Sequence, residues 1–251
     1  MATQILHARH VRALRTSARF WIAMLAASAL GTNLGDLWTG HLGISGLTAF
    51  TALVIVCAAA ICADRTFGRL TEVAYWIAII VLRAAATNVA DLHTEHFSVD
   101  SVPAAAGLAI LALIAGTRTR PVTAIGTRAS PAIDGWYWTT MFLAGVFGTA
   151  AGDLVSHTLG VVASAVILTI LLVAVISMRE RVFAGSMMSY WIAVLAERAA
   201  GTPIGDGLAS RHGAALGLQL ATCCSAMLLA AALLWRARRR VTEELPVRHL
   251  S

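Results

Sequence analysis

The chain has 251 residues, 58% hydrophobic and 13% charged, with a mean hydropathy of +0.76. That leaves too little polar surface for a soluble protein of this size, so the sequence reads as an all-α polytopic membrane protein. The net charge of +6 comes with 19 basic side chains, every one an arginine, and their placement points to membrane orientation rather than to nucleic acid.

A bilayer-spanning helix needs about 20 mostly apolar residues. Eight stretches qualify: 19–37, 44–63, 73–92, 102–117, 136–154, 159–178, 188–207 and 214–235. Before the first stand Arg9, Arg12, Arg15 and Arg19, on a tail spanning 1–18. No small-residue cleavage site follows, so the first run reads as a retained span. Arg65 and Arg69 follow the second span, and Arg118, Arg120 and Arg128 the fourth. Arg179 and Arg181 follow the sixth, and Arg236, Arg238, Arg239, Arg240 and Arg248 the eighth, in a tail at 236–251. With alternating spans these all fall on one side, and the opposite loops hold only Arg211. The positive-inside rule then places both termini in the cytoplasm. The longest loop, 118–135, has the Pro, Gly and Arg content of a linker between two halves. Cys57, Cys62, Cys223 and Cys224 lie inside predicted spans and read as small hydrophobes.

One phrase recurs. GTNLGD ends at Asp36, ATNVAD at Asp91, GTAAGD at Asp153 and GTPIGD at Asp206. Aligned on the aspartate, each copy opens on an aromatic pair, Phe20-Trp21, Tyr75-Trp76, Tyr137-Trp138 and Tyr190-Trp191, with the tryptophan 15 residues before the acid. Four residues before each acid stands Thr32, Thr87, Thr149 or Thr202. Small residues stand five and one before it: Gly31 and Gly35, Ala86 and Ala90, Gly148 and Gly152, Gly201 and Gly205. The repeats are 19–64, 73–117, 136–180 and 188–235, each a patterned helix followed by a plain one. All begin on the same side, so they are parallel.

Small residues four apart let helices approach closely, and four such helices can share an axis. The 15-residue interval spans roughly 22 Å, which sets Trp21, Trp76, Trp138 and Trp191 as anchors at the cytoplasmic interface. The aspartates then fall toward the outer leaflet. Thr and Asp four apart share a helix face, and Arg83 and Arg198 extend that face backwards in the second and fourth copies. Ionisable groups inside a membrane usually face a bundle interior or a watery cavity. Asp36, Asp91, Asp153, Asp206, Glu197, Arg83 and Arg198 are therefore the functional candidates, with the arginines neutralising part of the acid charge across helices. Pro203 replaces the Asn or Ala of the other copies and kinks the seventh span.

Five histidines cluster past the aspartates: His41, His93, His96, His157 and His212. With Glu95 and Asp100 they are candidate metal ligands, although their spacing is irregular. His7, His10 and His249 lie in the tails. No Walker loop, GxSxG or HExxH is present, which argues against an ATP-driven pump or a hydrolase. The sequence leaves any cofactor open and points to no nucleic acid and no enzymatic activity; the lipid bilayer is its expected partner, with a homo-oligomer left open.

The repeated tryptophans and the Gly/Ala-Thr-x-x-Gly/Ala-Asp phrases resemble a bacterial family of uncharacterised membrane-anchored proteins. That family carries four tandem copies of a repeat of unknown function, each with two spans and a hallmark tryptophan. The resemblance covers about 19 to 235 and implies eight spans and an inner-membrane location. From the residues themselves, the expected function is a transporter or channel-like permease for a small cation or protons. Its ring would comprise the four Asp and four Thr, with Arg83 and Arg198 as counter-ions. The competing expectation is a scaffold or partner-binding subunit whose polar core is structural.

Overall fold

The computed structural model describes residues 16–42, 72–96, 101–122, 130–183 and 186–244, with single helical positions at 48, 51, 55 and 58. Most of the expected span 44–63 and the outer part of each tail therefore lie outside the described residues. Seven helices fall within them: α1 (Ala18–Leu42), α2 (Glu72–His96), α3 (Ser101–Thr117), α4 (Gly135–Leu159), α5 (Val161–Arg181), α6 (Met187–Ala209) and α7 (Leu218–Glu244). Among the described residues the elements are all helical apart from an antiparallel bridge in the linker, where β1 (Pro121–Val122) pairs with β2 (Ser130–Pro131).

Local chemistry marks the helix starts. The Ser17 hydroxyl accepts from the Phe20 amide, the Asp134 carboxylate from the Tyr137 amide, and the Ser186 hydroxyl from the Ser189 amide. Each satisfies a donor that the first helical turn leaves open. Gly160, at φ +81°, is the single residue between α4 and α5. A left-handed backbone there suits glycine, because a Cβ would crowd the following carbonyl.

The helices form two shells. The patterned helices α1, α2, α4 and α6 pack in that cyclic order, and α6 closes the ring on α1. The plain helices lie outside, each packed against the patterned helix of the next repeat: α3 on α4, α5 on α6, and α7 on α1. The last helix thus closes the chain onto the first. Arg19 donates to the Trp235 carbonyl and lies 4.5 Å from its ring, while Arg236 pairs with Glu72 at 2.9 Å.

Among the described residues three helices are long and apolar enough to cross a membrane: 72–91 of α2, 161–181 of α5 and 218–238 of α7. Burial separates the shells, at 61% of the α2 window against 17% and 22% of the other two. Ile170, Val173, Met227 and Leu234 on α5 and α7 are all more than half exposed, as lipid-facing side chains should be. The inner helices α1, α4 and α6 are long enough, with 25, 25 and 23 residues. They are less apolar because their Gly, Thr, Asn and Asp face other helices. α3 is apolar but has only 17 residues.

Candidate functional site

Positions four residues apart on the inner helices form successive layers along the axis. At one end the eight aromatic residues interlock in a closed cycle. Phe20 meets Trp76 at 6.1 Å between ring centroids, Tyr75 meets Trp138 at 6.0 Å, Tyr137 meets Trp191 at 5.7 Å, and Tyr190 meets Trp21 at 5.7 Å. Each repeat offers its first ring to the second ring of the next. Within each pair the rings stand nearly edge to face, at 76–87°, the arrangement ring quadrupoles favour. The hydroxyls of Tyr75 and Tyr137 lie 2.6 Å apart. This changes the expected role of Trp21, Trp76, Trp138 and Trp191. All four are at least 93% buried, and their rings point into the bundle rather than out to lipid head groups. Four equivalent aromatic pairs can pack ring against ring in a closed cycle, which a lone interfacial tryptophan cannot do.

The next layer is apolar and tight: Met24, Ile79, Met141 and Val194, each no more than 1% exposed. Sequence reading did not single out these residues, although the same four-residue step, carried one turn further back from Arg83 and Arg198, reaches them. Arg179 and Arg236 were also missed as interior groups. They read as loop charges, yet Arg179 is 1% exposed and sits over the Trp21 and Tyr190 rings, and Arg236 sits over Phe20. Their position just past apolar spans gives no sign that they fold back onto aromatic faces.

Beyond the apolar layer stand Ser28, Arg83, Gly145 and Arg198. The Arg83 guanidinium crosses the axis. Its Nε donates to Ser28 Oγ at 3.2 Å. One terminal nitrogen donates to Thr149 Oγ1 at 2.7 Å, the Gly145 carbonyl at 3.0 Å and Thr87 Oγ1 at 3.2 Å. The other donates to Thr202 Oγ1 at 2.7 Å and Thr32 Oγ1 at 3.0 Å. One arginine, 1% exposed, thus holds the threonine of all four patterned helices. An arginine at the middle of a membrane helix costs about 3 kcal/mol on insertion scales. Hydrogen bonds to a charged group contribute about 1.5–3 kcal/mol each, so a few well-formed ones offset that cost.

The threonine oxygens therefore face Arg83. Thr32, Thr87 and Thr202 also donate to carbonyls, of Ser28, Arg83 and Gly148 respectively. The charge compensation expected across helices acts through space: Arg83 interacts electrostatically with Asp36, Asp153 and Asp206, while its hydrogen bonds go to hydroxyls and one carbonyl. Arg198 pairs at 3.5 Å with Glu197, its neighbour in the chain, and donates to Met141 Sδ at 3.7 Å.

Asp36, Asp91, Asp153 and Asp206 form the last layer, half-buried at the end of the axis. They converge. Asp206 interacts through charge with Asp36, Asp153 and Asp91, and Asp36 with Asp153. Arg83, one layer below, interacts in the same way with Asp36, Asp153 and Asp206. Among the described residues no three His, Cys, Asp or Glu side chains are arranged to hold a metal ion. The side chains of His41, His93, Glu95 and His96, and Asp100, lie outside the described residues; His157 and His212 are described and join no metal cluster.

Small residues bring the inner helices together. A Cβ at Gly31 would lie 2.6 Å from Arg83 Cβ, and one at Gly35 3.1 Å from Thr87 Cβ. Gly148 and Gly152 stand in the same way against Arg198 and Thr202, at 2.5 and 2.6 Å. Gly201 abuts Ser28, and Gly205 lies 3.3 Å from Thr32 Cβ. In the second repeat Ala86 and Ala90 take these places, both at least 97% buried, and Ala86 faces Gly145. α6 runs through Pro203 to Ala209. The Ala199 carbonyl, which Pro203 cannot bond, lies 3.1 Å from the Cβ position of Gly152.

A family model described as a repeat of unknown function, DUF347, matches residues 189–242, the length of α6 and most of α7. Neither the curated proteins nor the solved structures contain a match to the chain.

Proposed function

We propose that the chain is a multi-pass inner-membrane permease for a small cation or protons, built from four parallel two-span repeats with eight spans in all and both termini in the cytoplasm. The repeat reading is supported by the cyclic contacts. Aromatic pair, small residues, threonine and aspartate recur at equivalent places in α1, α2, α4 and α6, and the matched family is itself described as a repeat. Arginine placement supports the orientation, which puts the aromatic ring at the cytoplasmic end and the aspartates at the outer mouth.

The observation that carries the transport reading is the convergence of four half-buried carboxylates at one end of an otherwise buried axis. Such a mouth concentrates cations. Below it, Arg83 and the apolar layer close the axis, so the described conformation is shut, and passage requires Arg83 to leave the threonines. The test is flux through proteoliposomes, comparing the parent with Asp36→Asn and Asp206→Asn. Each substitution is expected to remove most of the flux. Unchanged flux in both variants sinks the carboxylate mechanism.

A second reading is favoured by one observation. The six hydrogen bonds of Arg83 tie all four repeats together, as a structural core would in a scaffold or partner-binding subunit. Under that reading the two Asp→Asn variants alter thermal stability, and the parent carries no flux at all.

A further inference from the structure

Glu197 breaks the pattern of the repeats. Its equivalents, nine residues before each aspartate, are Ala27, Leu82 and Ala144. Packing therefore asks for an apolar side chain at this place. Glu197 is 0% exposed; the Ser28 hydroxyl stands beside its carboxylate, but neither carboxylate oxygen has a hydrogen bond of good geometry. Its charged neighbour is Arg198 Nε at 3.5 Å, whose own Nε and one terminal nitrogen also lack hydrogen-bond partners. A buried polar group left open in this way calls for an explanation beyond stability.

The groups around Glu197 link the two ends of the axis. From α1 comes the Ser28 hydroxyl, which also receives Arg83 Nε. From α2 come Arg83 itself and, on the aromatic side, Tyr75, which is hydrogen-bonded to Tyr137 of α4. α5 and α7 bring their arginines, Arg179 and Arg236, to the aromatic rings. Glu197 thus lies between the tyrosine hydroxyls and the arginine that closes the aspartate mouth.

We infer that Glu197 is the proton-binding group of the permease, and that its charge decides whether Arg83 stays on the threonines or moves toward the aspartates. The inference rests on the transport reading above. Ionised, Glu197 balances Arg198, and Arg83 remains in its threonine cage while the aspartates are free to hold a cation. A proton added to a Glu197 oxygen removes that negative charge and leaves Arg83 and Arg198, which repel each other, without it. The aspartates are then the nearest negative charge, so Arg83 moves to them and takes the place of the bound cation. Release of the proton returns Arg83 to the threonines. One proton gained is matched by one positive charge released from the mouth, which makes the exchange an antiport.

Infrared difference spectra of the full-length protein in nanodiscs, recorded between acid and alkaline pH, test the titration directly. The parent is expected to lose a protonated-carboxyl carbonyl band that Glu197→Gln lacks and that Glu197→Asp retains at a shifted position. Identical bands in the parent and Glu197→Gln overturn the inference, and if Glu197→Gln does not fold, an unshifted band in Glu197→Asp does the same. Liposomes holding a pH-sensitive dye, driven by a sodium and then a magnesium gradient, test the coupling. The parent should move protons against the cation and Glu197→Gln should not. Equal proton movement in both overturns the inference and leaves the permease reading standing. A parent that moves neither ion overturns the permease reading, and the infrared bands still decide whether Glu197 titrates.

Discussion

Two contacts between inner helices use the same positions with the sizes reversed. Where α1 meets α2, a glycine, Gly31, lies against an arginine, Arg83. Where α2 meets α4, an alanine, Ala86, lies against a glycine, Gly145. In the two remaining contacts glycine again takes the smaller part, Gly148 against Arg198 and Gly201 against Ser28. The second repeat is therefore no degraded copy. What the four contacts share is a glycine on one side of each pair, because helices in a membrane gain their association from close packing rather than from hydrophobic burial. Only one of the four contacts can place Arg83 on the axis, and its opposite number, Gly145, is the residue whose carbonyl and missing side chain make room for the guanidinium.

The comparison breaks first where backbone atoms form the contact. Gly148→Leu drives a side chain into the Arg198 backbone, whose carbonyl carbon lies 2.6 Å from the Cβ position. It should cost about 3 kcal/mol or more, visible as loss of the folded, monodisperse protein in detergent. Next come the shortest bonds of the arginine cage. Thr149→Val and Thr202→Val each remove a 2.7 Å bond to Arg83 and should lower stability by about 1–3 kcal/mol; Thr87→Val, at 3.2 Å, should cost less. An equal loss at all three positions would mean that the cage is not centred as described.

The reversed pair sharpens the comparison. Gly145→Ala should destabilise by about 1–2 kcal/mol through crowding with Ala86, and the added Ala86→Gly should recover part of that loss. A double-mutant cycle should give a coupling of at least about 0.5 kcal/mol, whereas strict additivity would show that the two positions do not share one contact. Smallest of all, Ile170→Ala on the exposed face of α5, where the side chain is 64% exposed, should stay within about 0.5 kcal/mol.

The repeat could be read along the chain because its five matched positions hold the same spacing in every copy. The helical class, the inner place of the four patterned helices and the close-packing use of the small residues followed from that spacing. The tryptophans could be placed along the helix but not around it. A period of four puts Trp21 and its equivalents beside the acid face without saying whether three other pairs stand there to receive them. Arg83 and Arg198 look alike in one dimension, each eight residues before an aspartate. Their partners differ because Arg83 stands across from Gly145 and can reach the axis, while Arg198 carries Glu197 beside it and faces Met141.

Composition and periodicity alone determined an apolar, all-helical chain with four matching polar faces, because burial in helices leaves a four-residue signature in the order of residues. Tertiary structure decided what those faces meet: aromatic pairs closed into a ring, four threonines gathered on one guanidinium, and a glutamate left with open oxygens between them. These outcomes depend on which patterned helix stands next to which and on how closely their backbones approach, and such distances arise only when α6 closes on α1.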